Sequence, residues 1–259
     1  MNTKQKKIVV FSDIDGTILD EQHSGRKIKP LIKKITDLGV TLILCSSKTT
    51  PEIELYLHEL EIISPFIVEN GGAIIIPKDY FTFSFSFSKK VNGYYVIELG
   101  LPYSVVREKL DKVLLGTNCK IIGFRDVTKE QLATELAIPV SLAELAKMRE
   151  YDEPFRFISG HKKKFMKVAE AEGLTLALGN KYFHALANTD KGKAVSVTKQ
   201  LLTRKFGSIM TYGIGDSEND LSMLSVVDEP MLIRKELRGE NANLAVWNNL
   251  LSIIIDKQT

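Results

Sequence analysis

Cysteine is scarce: Cys45 and Cys119 are the only two in 259 residues. One possible pair is no disulfide framework, and their spacing suits no metal site. Cys45 sits inside an apolar run and reads as a small core residue. Long apolar runs are also missing. No stretch approaches the ~20 residues of a membrane span. The apolar run Ile8 to Phe11, behind N-terminal lysines, is too short for a signal peptide. A reducing cytoplasm and no membrane partner are expected. Strong charge of either sign is lacking too, at a net +3. The lysine-rich stretches at 4–7 and 162–164 read as solvated faces, so no nucleic-acid partner is expected. Internal repeats and low-complexity linkers are absent, and nothing in the chain speaks to oligomeric state.

What is present is an ordinary apolar fraction, 44%, in a chain long enough for one large domain or two smaller ones. The first 80 residues alternate strand and helix. Ile8–Phe11, Val40–Cys45 and Phe66–Val68 read as buried strands. Pro30–Leu38 reads as a helix stopped by Gly39, and a threonine cap with Pro51 in the first turn opens another. Uninterrupted apolar strands between helices imply a parallel sheet covered on both faces. The pattern then changes. Phe81–Ser88, "FTFSFSFS", alternates with period two, as a half-exposed antiparallel strand does. "YYVIEL", a helix over Ser104–Leu115, "KIIGF", "PFRFIS" and a helix ending at Gly173 follow. Thr128 with Gln131, and Ser141 with Glu144, read as capping boxes. "LTLALGNKYFHALAN" reads as a hairpin turning at Gly179-Asn180. After Thr189 the first pattern returns: a helix over Lys191–Phe206, the strand "IMTYGIG", a short helix and the strand "MLI". The fold class is therefore α/β, a parallel-sheet Rossmann-like core with an inserted α+β module. The expected boundaries are 1–80 and 188–259 for the core and 81–187 for the insertion.

Two carboxylates, Asp13 and Asp15, stand where the first buried strand ends, although like charges repel and burial strips hydration. Parallel sheets carry ligands at the carboxyl edge of the strands. Three further polar loops fall at that edge: Ser46, Ser47 and Lys48; Lys191, opening a helix with its stem expected half exposed; and Asp216 with Asp220. Acids for a hard cation, hydroxyl and amide donors and a lysine suit phosphoryl transfer with magnesium. Other readings fail on spacing. Thr17 and Ile18 stand where a calcium loop wants an acid and a glycine. "GIGDSE" lacks the third glycine of a dinucleotide fingerprint, and "DKGKA" lacks the upstream glycine and final hydroxyl of a P-loop.

In this order "DIDGT", "LILCSS", "DKGKA" and "GDSEND" resemble the four motifs of the haloacid dehalogenase superfamily of phosphohydrolases. The insertion resembles that superfamily's larger cap. The resemblance implies Asp13 as nucleophile, Asp15 as general acid/base, Ser46 as phosphate holder and Lys191 as its neutraliser. It implies Mg2+ held by Asp13, the Asp15 backbone carbonyl and Asp216, supported by Asp220. A narrower match, through "CSSKT", "ENGGAI", "GFRD", "AKMREYDEPF" and "KYFHALANTDKGKA", is to the mannosyl-3-phosphoglycerate phosphatase family. The substrate so implied is a sugar joined to phosphoglycerate, used to make a compatible solute. Lys48, Arg149, Lys181 and His184 are then candidates to meet its anionic groups, and Glu69, Asn70 and Glu153 to bond hydroxyls. Ser47, Gly71 and Asn219 complete the expected substrate set. Alternatives are phosphatases of glucosyl-3-phosphoglycerate or sucrose phosphate, a sugar phosphomutase, and a phosphate-binding protein without turnover.

Overall fold

The computed structural model describes residues 6–20, 24–179, 181–234 and 241–258. The central sheet is built from β1 (Lys7–Ser12), β2 (Thr41–Leu44), β11 (Ile209–Gly215) and β12 (Glu229–Leu232), parallel in the order β12-β11-β1-β2. These strands read as near-continuous apolar runs because helices cover both faces. On one face lie α1 (Lys29–Asp37) and α9 (Ala242–Gln258), packed on Ile32, Ile35, Val10, Leu42 and Trp247. The other face carries α7 (Lys191–Phe206) and the short α8 (Leu221–Leu224), over Val9, Phe11, Ile43, Ala194 and Leu202. The start of α2 (Thr50–Glu59) is fixed as expected. Thr49 is its N-cap, Glu52 accepts from the Thr49 N–H at 2.9 Å, and Pro51 sits in the first turn.

β3 (Phe66–Val68) extends this sheet through a parallel bridge between Cys45 and Ile67. It also pairs antiparallel with β4 (Ala73–Pro77), which pairs with β6 (Tyr94–Glu98), and β6 with β5 (Lys89–Val91). Here the structure differs from expectation. Residues 89–98 pair with the core rather than with the insertion, and "FTFSFSFS" is not a strand. Phe81, Phe83 and Phe85 lie against the core instead. The Arg204 side chain donates to the Ser84 carbonyl at 3.2 Å and Lys205 to the Tyr80 carbonyl at 2.6 Å. Side chains of α7 thus take the place of a strand partner, and the period of two reflects ring packing alone.

The inserted module has its own antiparallel sheet, order β7-β8-β10-β9, made of β7 (Lys120–Gly123), β8 (Glu153–Ser159), β9 (Thr175–Leu178) and β10 (Phe183–Leu186). β9 and β10 form the expected hairpin; Asn180 of its turn lies outside the described residues. α3 (Tyr103–Thr117) and α6 (Lys162–Ala171) cover this sheet through Val106, Leu110, Phe155 and Phe165. α4 (Lys129–Leu136) and α5 (Val140–Ala146) form a small lobe with Phe124 and Tyr182. The Thr128–Gln131 capping box is present, with Gln131 N–H donating to Thr128 Oγ1 at 3.2 Å. The second box is not: α5 begins one residue before Ser141, with Pro139 as its cap, because proline's fixed φ starts the turn earlier. Among the described residues no helix is long and apolar enough to cross a membrane.

Candidate active site

β1, β2 and β11 end at one edge, and their parallel register delivers Asp13, Ser46 and Asp216 to it together. α7 starts at the same edge, with Asp190 accepting from the Lys193 N–H at 2.8 Å as its cap. Lys191 then points inward. Its Nζ lies 2.7 Å from Asp13 Oδ1 and 2.6 Å from Asp220 Oδ1, and its side chain is fully buried. The half-exposed stem expected for it is therefore not found. Burial disfavours the ammonium ion, but Asp13 and Asp220 outweigh that and raise Lys191 above its ordinary range.

Carboxylate oxygens of Asp13, Asp216 and Asp220 lie within 4.8 Å of one another. Burial, opposed by Lys191 and reinforced by the carboxylates of Asp220, Asp15 and Asp216, pushes Asp13 up to about 8. So high a value for a carboxyl marks a cluster short of positive charge, which a hard divalent cation with oxygen ligands supplies. The donor set fits such an ion: Asp13 and Asp216 could hold it, and Asp15 could add its backbone carbonyl. Asp220 is mostly committed, taking Lys191 on one oxygen and the N–H groups of Asp216 and Ser217, at 3.0 and 3.1 Å, on the other. Cys45 lies beneath the site as a buried core residue, as expected, and burial pushes its thiol well up.

A cavity of about 150 Å3 opens between core and insertion, lined on the core side by Asp15, Ser47, Lys48, Glu52 and Tyr56. Arg149, His184, Tyr182 and the apolar residues Leu136, Ile138 and Leu142 line it from the insertion. Lys48 Nζ lies 2.9 Å from Asp15 Oδ2 and 3.8 Å from Glu52 Oε1. Burial works to lower Lys48, but those two carboxylates prevail and hold it charged. The other oxygen of Asp15, Oδ1, is buried with no hydrogen-bond partner. Ser46 is buried beside this group, its hydroxyl accepting from the Lys48 N–H at 3.4 Å.

The expected cap residues divide. Arg149 and His184 line the cavity, yet both are engaged: Arg149 donates to the Ser47 carbonyl at 2.8 Å and pairs with Asp152, and His184 Nδ1 lies 2.9 Å from Asp152. Lys181 is exposed and does not line the cavity. Glu153 faces away, bound by the Tyr103 hydroxyl, the Arg125 N–H at 3.2 Å and Arg107 at 3.7 Å. Asp152, just ahead of β8, instead meets Arg149, His184 and Asn70. Glu69 bonds backbone, accepting from the N–H groups of Glu150, Tyr151 and Asp152 at 2.8–3.1 Å. Asn70 and Asn219 bond each other at 2.9 Å. Gly71, at φ +92, is steric: a Cβ there would lie 2.1 Å from the Asp190 carbonyl oxygen. Sequence reasoning missed Asp152, Tyr56, Tyr182 and Ser217. The one signal for Asp152 was its place beside Glu153 at a strand start.

A parallel core whose edge gathers carboxylates and a buried lysine, with an α+β module folded over them, defines a haloacid dehalogenase-type hydrolase. The chain belongs to the haloacid dehalogenase-like hydrolase family, whose profile matches residues 10–234. It is 36% identical to a protein of Methanococcoides burtonii named glucosyl-3-phosphoglycerate/mannosyl-3-phosphoglycerate phosphatase, covering 97% of this chain and 98% of that one. A mannosyl-3-phosphoglycerate phosphatase of Pyrococcus horikoshii is 35% identical, covering 95% and 98%. In fold it is similar to a haloacid dehalogenase-like hydrolase from B. subtilis, with a TM-score of 0.62 at 17% identity over 94% of this chain and 98% of that one.

Proposed function

We propose that this chain is a magnesium-dependent phosphatase that hydrolyses mannosyl-3-phosphoglycerate, or its glucosyl counterpart, through an aspartyl-phosphate on Asp13. The named activities of its relatives support the substrate class. The observation that carries the reading is the cluster of Asp13, Asp216 and Asp220 around Lys191, with Asp13 two residues from the Asp15 that lines a cavity with Lys48. The inserted module, about residues 102–187, acts as the cap that closes this cavity.

Asp13 attacks phosphorus with the carboxylate oxygen turned from Lys191. Lys191 steadies the charge that spreads over the phosphoryl oxygens, a role suited to a buried, fixed cation. Ser46 holds a further phosphoryl oxygen. Asp15 gives its proton to the leaving glycerate oxygen, then takes one from the water that releases phosphate. When bound at Asp13, Asp216 and the Asp15 carbonyl, with Asp220 beside them, the magnesium ion supplies the positive charge that lets a dianion enter so acidic a site.

Lys48 reads the glycerate carboxylate. Of the four expected cationic candidates, Lys181 is outside the cavity and Arg149 and His184 are held by Asp152; Lys48 is paired too, with Asp15 and Glu52, but its ammonium has a third donor to offer. The apolar wall from α4 and α5, with Tyr182, receives the sugar face. The test is a panel of kcat/KM values for sugar phosphoglycerates against sugar phosphates that lack a carboxylate. Preference for the carboxylate-bearing substrates supports the reading; equal efficiency across the panel overturns it.

A further inference from the structure

A line of hydrogen-bonded side chains runs from the cap to the acidic centre. It begins at Asp152, a fully buried carboxylate of the insertion. Asn70 Nδ2 donates to Asp152 Oδ2 at 3.0 Å, and Asn219 Nδ2 donates to Asn70 Oδ1 at 2.9 Å. Asn219 Oδ1 then accepts from the Ser217 hydroxyl at 2.7 Å, which uses that hydroxyl's one proton, and the Ser217 backbone N–H donates to Asp220 Oδ2 at 3.1 Å. Amide orientations along the line are consistent, each Asn donating toward the cap and accepting from the core. The middle of the line is strained. Glu69, Asn70 and Gly71 have φ of 46°, 55° and 92°, three successive residues in the left-handed region. Core contacts hold them there: the Asn70 N–H on the Ser46 carbonyl at 3.0 Å, and Thr189 Oγ1 on the Gly71 carbonyl at 2.6 Å. The turn therefore touches the Ser46 loop, the loop before Lys191, the acidic loop and the cap at once.

We infer that Asp152 and Asn70 are positioning residues that couple closure of the cap to the geometry of the acidic loop. Asp152 is anionic in this role: burial alone would raise it, but Arg149 and His184 hold it down to about 2. With the cap closed, the line fixes Ser217 and through it the Asp220 carboxylate. With the cap swung away, Asn70 loses its acceptor and the line ends free. Coupling of this kind is reciprocal, so a cation in the acidic loop favours the closed cap by the same factor that closure favours the cation. The inference rests on the metal reading above, but not on the identity of the substrate.

The clean variant is Asn70→Gly. Glycine accepts φ 55° without strain while removing both amide links, so the turn should fold. Magnesium binding is measured by calorimetry with no substrate, and amide hydrogen exchange is followed with and without magnesium. In the wild type, magnesium should slow exchange at 215–222 and also, across the cleft, at 149–153. In Asn70→Gly the protection at 149–153 should vanish and magnesium affinity should fall about tenfold or more, as for lost outer-shell partners. Asp152→Ala, which removes the acceptor for Asn70 Nδ2, should show the same pattern, and the double variant should bind magnesium no more weakly than the worse single one. If Asn70→Gly binds magnesium as the wild type does and still transmits protection to 149–153, the coupling is refuted. If the wild type binds no magnesium, the metal reading fails first and the coupling with it.

Discussion

Replacing Lys191 by methionine should cost stability and turnover by amounts that pH separates. Lys191 is fully buried between Asp13 and Asp220, 2.7 and 2.6 Å from them. In the metal-free protein burial and the neighbouring carboxylates hold Asp13 above the ordinary carboxylate range, which leaves Asp220 as the firmer ionic partner of Lys191. Methionine fills similar volume, which leaves Asp220 as a buried, uncompensated charge. Stranding one member of a buried pair costs roughly 3–5 kcal/mol. Acid relieves that cost, because a buried carboxylate that has lost its ammonium partner can be neutralised by taking up a proton. The destabilisation should therefore shrink on going from pH 7 to pH 5. Urea unfolding with a chelator present, at both pH values, measures it. Turnover should drop ~100- to ~1000-fold, as for loss of one preorganised electrostatic donor. A stability loss that is the same at both pH values, or none at all, would refute the argument that Lys191 exists to neutralise Asp220.

Asp15→Asn should spare an activated aryl phosphate more than a sugar phosphoglycerate in the phosphorylation step, because only the sugar substrate's leaving oxygen needs a proton; rapid-quench rates with both substrates decide it. Equal losses would make Asp15 a structural residue. Lys48→Gln should lower kcat/KM for a carboxylate-bearing phosphomonoester about ten- to a hundred-fold more than for an aryl phosphate, the value of one charged hydrogen bond. Parallel losses would tie Lys48 to Asp15 alone. Asp152, held at about 2, lies below its ordinary value, so its contribution is fully present above about pH 4 and is lost as pH falls through 2. Acid unfolding should therefore lose a step between those values in Asp152→Asn; an unchanged acid limb would show that Asp152 adds nothing.

The core was legible because its signals are local. Apolar runs ending in acids mark β1 and β11, and Asp190 before Lys191 marks the start of α7 within one turn. The edge cluster followed, since parallel strands leave their carboxyl ends little choice. The cap was harder. Arg149, Glu153 and His184 carry the right chemistry, but which of them faces the cavity depends on the path of the backbone, and Asp152 beside Glu153 shows how one residue reverses the answer. "FTFSFSFS" misled because alternation reports a two-sided environment without saying what covers the backbone; Arg204 and Lys205, far along the chain, do so. The relay through Asn70 and Asn219 joins residues 149 positions apart, a distance no local pattern spans.

The central claim is that Asp13 carries the phosphoryl group, and chemical quench tests it most directly. Enzyme in excess is mixed with magnesium and mannosyl-3-phosphoglycerate labelled in its phosphate, stopped in acid within milliseconds, and digested. Label should appear on the peptide bearing Asp13, decay as free phosphate rises, and be absent without magnesium and in Asp13→Asn. Free phosphate rising with no labelled peptide at any time, together with substantial turnover by Asp13→Asn, would contradict the account.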